Sequence, residues 1–245
     1  MASTFQPPLL PALDDNVAMQ KHLFYSEQAN WVVPGAVLAG KSPATAKDVK
    51  AFVMDLSVKA KVTTYVCLQA EVGPQSTDTE DLGGIQTGNE VDMYPSYAQA
   101  VSQVAERNQS SSKPKFVYYG MKDDEIAPSE ESLCDLVENI RKKVEDGEVI
   151  YVHCKGGSGR TGIVISCLLA SLYPDLGADE VLERTQQSFE LRARGAGKWV
   201  NPKRQSPATE EQRTQVRKVI ADAQANIGSP ETTTNTENVN TCILM

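Results

Sequence analysis

The most chemically distinctive run of the chain is His153-Cys154-Lys155-Gly156-Gly157-Ser158-Gly159-Arg160-Thr161. A cysteine and an arginine at this spacing, with three glycines between them, can hold a dianion over a sulfur nucleophile. Gly156, Gly157 and Gly159 tolerate backbone conformations that other residues resist, so the loop amides can turn inward. The helix that should follow adds unsatisfied donors and the positive end of its dipole. Arg160 can add a bidentate grip on two phosphate oxygens that a lysine would not reproduce. Lys155 and Ser158 complete the phosphate-binding loop. Cys154 lies at its base, where the same positive field favours the thiolate, an in-line nucleophile for phosphorus. The plain alternative is a cysteine buried in a glycine turn; strand, glycines, helix and His153 together favour the phosphate site.

Around this run the pattern predicts strands and helices in alternation. Glu148 to His153 reads as a strand through Val149, Ile150 and Val152, and Arg160 to Tyr173 as a helix apolar nearly all round, hence buried. Val62 to Leu68 and Lys115 to Met121 read as further strands. Tyr97 to Arg107, Ala178 to Leu191 and Thr209 to Ala225 read as helices. Ser129 to Glu145 is the clearest amphipathic helix, with Leu133, Leu136, Val137, Ile140 and Val144 on one stripe, Ser129 as cap and Gly147 as stop. This order implies one α/β domain with helices on the faces of a sheet.

His-Cys, five residues, Arg-Thr resembles the signature of the cysteine-dependent protein tyrosine phosphatase superfamily, in its compact dual-specificity-like branch. The resemblance implies a single-domain fold of that kind, with a central, mostly parallel sheet. It implies hydrolysis of phosphotyrosine in proteins, with phosphoserine and phosphothreonine as further candidates, through a cysteinyl phosphate on Cys154. By the same resemblance His153 orients the loop, and the Thr161 hydroxyl stabilises the thiolate as it leaves. No metal or other cofactor is expected, because the loop and Arg160 supply the charge a metal would.

The leaving oxygen needs a proton from elsewhere in the chain. Lys122-Asp-Asp-Glu-Ile-Ala-Pro128 lies where the family places its acid loop, as Asp, three residues, Pro; Asp124 fits that spacing and Asp123 is the fallback. The family's Trp-Pro before the aspartate and Gly after it are absent. Gln212 resembles the glutamine that positions water in the second step, although Thr209 and Gln212 also fit a helix capping box. Some relatives pair the nucleophile with a cysteine on an early strand, and Cys67 lies on such a strand, two residues from the expected place.

The 245 residues are 40% hydrophobic and 23% charged, which suits a globular domain. A net charge of −8 argues against nucleic acid or an anionic membrane as general partners. The cysteines are five, widely spaced and without a metal-type pair, which fits a reducing, cytoplasmic setting; the start of the chain does not read as a secretory signal. Residues 1–20 read as an extended, poorly ordered arm, 21–226 as the phosphatase domain and 227–245 as a flexible tail. Cys242-Ile-Leu-Met245 fits a prenylation box, implying a prenyltransferase as partner and a reversibly membrane-associated fraction held by a farnesyl chain at Cys242. A prenyl box beside such a domain is similar to the phosphatases of regenerating liver, which carry Ala where Thr161 stands. Arg192, Arg194, Lys198, Lys203 and Arg204, with Trp199 among them, read either as a solvated loop or as an anion-reading rim. Two rival readings stay open: a phosphoinositide phosphatase, which Lys155 favours and Ser158 disfavours, and a phosphate-binding module without turnover.

Overall fold

The computed structural model describes residues 5–88, 96–110 and 112–227. Six strands form one sheet: β1 (Ala29–Val33), β2 (Val37–Lys41), β3 (Thr64–Gln69), β4 (Glu80–Gly84), β5 (Lys115–Met121) and β6 (Ile150–Cys154). Their order is β1-β2-β6-β3-β5-β4, antiparallel only between β1 and β2. The helices are α1 (Asn16–Leu23), α2 (Val49–Met54, continued by a π-helical turn Asp55–Lys59), α3 (Ala98–Arg107), α4 (Glu130–Glu145), α5 (Gly159–Leu172), α6 (Ala178–Arg194) and α7 (Glu210–Ile227). The fold is therefore a mostly parallel sheet covered by helices on both faces.

Strand alternation decides which helix meets which face. Val66, Val117, Val152 and Ala39 point into the larger core with α4, α5 and α7. Their neighbours Tyr65, Phe116, Tyr151 and Leu38 point the other way, into a second core with α2 and α3. Every residue of α5 after Gly159 is buried, as its all-round apolar pattern predicts. Ser129 caps α4 by accepting from the Ser132 amide at 3.1 Å.

Two features depart from the sequence reading. Residues 5–15 lie along the domain instead of standing away from it. The Tyr173 hydroxyl donates to Pro8 O at 2.7 Å, Arg184 Nη1 donates to Pro11 O at 2.8 Å, and Phe5 and Leu10 pack on the main core. Apolar and carbonyl groups of a proline-rich segment found partners on α5 and α6 that local composition does not reveal. The second feature is the pair β1 and β2, which carry too few residues to announce themselves. Gly40 in β2 passes so close to β6 that a Cβ there would stand 2.1 Å from the Tyr151 hydroxyl. That hydroxyl donates to Lys41 O at 2.6 Å and fixes the end of β2 beside the phosphate loop.

Candidate active site

Three neighbouring parallel strands, β6, β3 and β5, end at one edge of the sheet, and the chain beyond each supplies the site. β6 ends in Cys154, and the loop after it runs directly into α5. The carbonyls of that loop are turned outward by partners on three sides. Lys155 O accepts from the Ser42 amide at 3.3 Å, Gly157 O from Arg192 Nη1 at 3.0 Å and Ser158 O from the Ser206 hydroxyl at 2.9 Å. Because a trans peptide sets C=O and the next N–H in opposite directions, the amides of Gly156, Ser158 and Gly159 face the other way. The Gly157 amide lies 3.2 Å from Cys154 Sγ. Gly157 has φ +69°, and a Cβ there would stand 2.2 Å from Gly40 O, so the turn accepts only glycine.

Arg160, in the first turn of α5, is buried, and its side chain is turned to the far wall of the site. Nη1 and Nη2 donate to the two oxygens of Glu71 at 2.6 and 3.0 Å, Nη1 also to Met121 O at 3.0 Å, and Nη2 also to Asp123 Oδ1 at 2.8 Å. Burial opposes the charge on Arg160, but Cys154, Glu71 and Asp123 outweigh it and raise its pKa above the usual arginine value. Burial likewise opposes ionisation of Glu71, yet the Arg160 hydrogen bonds hold its carboxyl below the ordinary range. The fork expected to grip phosphate thus grips Glu71 end-on. The side edge, Nε and Nη2, is what remains for phosphate, with Nε lacking a protein partner and Nη2 shared with Asp123.

His153 is fully buried, and burial, with Arg160 adding to it, draws its pKa down to about 3. A neutral imidazole orients the loop through hydrogen bonds and supplies no positive charge. Nε2 meets the Tyr97 hydroxyl at 2.5 Å, while Nδ1 and Thr161 Oγ1 are buried without protein partners. Asp123 and Asp124 both lie in the loop between β5 and α4. Asp123 reaches Arg160, whereas Asp124 is exposed and sits at φ +60°. Gln212 is buried, and its amide is engaged: Oε1 accepts from Ala208 N at 2.9 Å and Thr209 N at 3.3 Å, and Nε2 donates to Glu125 O at 2.8 Å. It closes a capping box on α7 and braces the acid loop at once. Cys67 is a free thiol paired in register with His153, and burial pushes its pKa up to about 12. Cys242 lies outside the described residues, among which no helix is long and apolar enough to cross a membrane.

Glu71, Lys41, Asn30 and Gln215 escaped the sequence reading. Glu71 carried a usable signal, an acid just past a buried strand at the edge where the phosphate loop must lie; the others carried none. The basic segment divides. Arg192 is buried against the phosphate loop, Arg194 pairs with Glu190 and Lys198 with Glu27. Arg204 stacks over Phe189, and Trp199 is 77% exposed. Among the described residues no group of three or more His, Cys, Asp and Glu side chains is arranged to hold a metal ion.

Comparison with known proteins agrees with this geometry. Residues 101–216 match the family described as PTP-SAK, Swiss Army Knife protein, DSP-PTPase phosphatase domain. A 44-residue segment, 18% of this chain, is 43% identical to phosphatidylglycerophosphate phosphatase PTPMT1 of Arabidopsis thaliana and spans 13% of that relative's length. The crystal structure of Tk-PTP in its active form superposes with a TM-score of 0.50 at 16% identity, over 79% of this chain and 97% of that one. DUSP15 does so at 0.50 and 14% identity, over 81% of this chain and 91% of its own. Residues 101–216 thus match a phosphatase domain of the dual-specificity kind, and the fold is that of the cysteine-dependent protein tyrosine phosphatases.

Proposed function

We propose that this phosphatase acts on phosphotyrosine in proteins, and on phosphoserine and phosphothreonine where the pocket admits them. Cys154 Sγ attacks phosphorus as the bond to the tyrosyl oxygen breaks. The inward amides and the side edge of Arg160 hold the equatorial oxygens, and Asp124 gives its proton to the leaving oxygen. Water then attacks the thiophosphate, its proton passes to the Asp124 carboxylate, and the sulfur leaves as thiolate beside Thr161. Lys155, Gly156, Gly157, Ser158 and Gly159 form the cradle. The observation that carries the reading is the orientation of that loop: three carbonyls held outward and the Gly157 amide 3.2 Å from the sulfur.

A second reading, phosphoinositide hydrolysis, draws support from Lys155 beside the nucleophile and, for lipid phosphates in general, from the short segment similar to an Arabidopsis phosphatase named for phosphatidylglycerophosphate. Phosphate release from a phosphotyrosine peptide, a phosphothreonine peptide and a soluble phosphoinositide, with wild type and Cys154→Ser side by side, tests both. Wild type should turn over the phosphotyrosine peptide fastest, and the serine variant should bind it without releasing phosphate. Fastest turnover of the lipid headgroup would give the function to the second reading. Phosphate release by Cys154→Ser at the wild-type rate would end the cysteinyl mechanism.

A further inference from the structure

Neither His153 nor Arg160 brings an unbalanced positive charge to Cys154. Arg160 faces two carboxylates, Glu71 and Asp123, and His153 is neutral. Arg192, near the end of α6, differs from both. It is buried, and it donates to neutral acceptors: Nε to Asn30 Oδ1 in β1 at 2.6 Å and Nη1 to Gly157 O in the phosphate loop at 3.0 Å. Among the described residues no carboxylate pairs with it. Its guanidinium lies 5.0 Å from the centre of the Phe189 ring, and Asn30 is anchored in turn by donating from Nδ2 to Trp31 O at 3.0 Å. Burial draws the Arg192 pKa down to about 10, against the pull of Tyr151 and Cys154. A guanidinium taken out of water in this way is costly unless an anion faces it.

Gly157 joins that cation to the sulfur. At φ +69° its N–H is 3.2 Å from Cys154 Sγ while its C=O accepts from Arg192. The same bond sets the Gly157–Ser158 peptide plane, so the Ser158 amide is turned to the opposite side, into the cradle. Nη1 packs so closely that a Cβ on Gly157 would stand 2.6 Å from it. We infer that Arg192, aimed by Asn30, is a positioning residue of the reaction: it holds the Gly157 peptide in place, and its uncompensated charge favours the Cys154 thiolate over the thiol. The inference rests on the cysteinyl reading above and adds to it a cation 35 positions beyond Gly157, outside the phosphate loop. In a buried setting such a charge acts on the sulfur more strongly than it would through water.

The test uses the full chain and reads the sulfur without turnover, as the rate at which iodoacetamide alkylates Cys154 across pH, located by peptide mass mapping. Arg192→Met keeps an aliphatic stem against Phe189 and removes the charge. Its alkylation at pH 6 should be about tenfold slower than wild type, with the two rates converging by about pH 9, where the thiol ionises unaided. The acid limb of kcat/KM for p-nitrophenyl phosphate should move to higher pH in step. Arg192→Lys, which restores the charge, should recover most of the rate at pH 6. Asn30→Asp sets a carboxylate on Nε and leaves the bond to Gly157, so it should slow alkylation at pH 6 about fivefold. That variant decides the matter if Arg192→Met does not fold. A merely structural role lowers Tm or kcat at every pH and moves neither profile. Profiles unmoved in the folded variants, with Cys154→Ser inert, would overturn the inference alone. Phosphate release by Cys154→Ser at the wild-type rate would remove the cysteinyl reading and the inference with it.

Discussion

Asp123 and a bound phosphate compete for the same N–H of Arg160. Nη1 and Nη2 are committed to Glu71, so a phosphate must use Nε and the outer hydrogen of Nη2, where Asp123 now sits at 2.8 Å. The Asp123 side chain is 62% exposed, so solvent screens this contact and its loss costs little. Asp123→Ala should therefore tighten inhibition by inorganic phosphate about threefold and leave kcat nearly unchanged. Asp124→Ala should lower kcat on phosphotyrosine peptides by about two to four orders of magnitude, with KM within about threefold. Steady-state kinetics on the two variants decide between them. If Asp123→Ala loses turnover and Asp124→Ala keeps it, the acid is one residue earlier than the spacing implies.

The acid loop is clasped by one face of α7. Gln212 donates to Glu125 O, and three positions on Gln215 takes the next bonds: its Oε1 accepts from Ala127 N at 2.9 Å and its Nε2 donates to Ala127 O at 3.1 Å. Residues three apart on a helix share a face, which is why both reach the same loop. Asp124 is thus fixed between Asp123 on Arg160 and Glu125 on Gln212. Gln215→Ala leaves the buried amide and carbonyl of Ala127 without partners, at a cost of about 1–3 kcal/mol. Thermal unfolding should show Tm lowered by roughly 2–10 °C. A merely structural role predicts equal kinetic losses on all esters. A loop that positions the acid predicts about a tenfold loss on phenyl phosphate and less than about twofold on dinitrophenyl phosphate, whose leaving group needs no proton.

At the scale of the whole molecule, a net charge of −8 surrounds a site built from inward amides and Arg160, with Lys41, Arg192, Lys198 and Arg204 lining the pocket beside it. The fold reconciles them by ending β6, β3 and β5 side by side, so that one edge gathers what the rest of the surface lacks. Packing also fixes the charge state of His153. Its folded pKa of about 3 lies below the unfolded value of 6.5, so the unfolded chain binds the extra proton between them. The stabilisation is full above 6.5 and is lost as pH falls from there toward 3, by about 1.4 kcal/mol per pH unit. Denaturant unfolding at pH 6.5 and 5 should record that slope, and His153→Gln should flatten it. A slope unchanged in the variant would assign the effect to another group.

How much of this was legible in the chain follows from sequence distance. Strand, cradle and buried helix from Glu148 to Tyr173 form one local unit, and their glycines and apolar runs needed no distant partner to be read. The amphipathic stripe of α4 and the capping box at Thr209 were legible for the same reason. Glu71 opposite Arg160, Gln215 on Ala127 and Arg192 on Gly157 pair residues 89, 88 and 35 positions apart. Only chain crossings set those pairings, and side-chain type alone does not encode which distant partner arrives. β1 and β2 were hidden because five residues each give too short a pattern, and with them went Lys41, the cation that turns a basic loop into a pocket. The loop and the helix around Cys154 could be read from the chain alone, because backbone conformation and helix dipole are local. Tertiary packing decided which edge of Arg160 is open and which cations converge, because those depend on surfaces brought together from far along the chain.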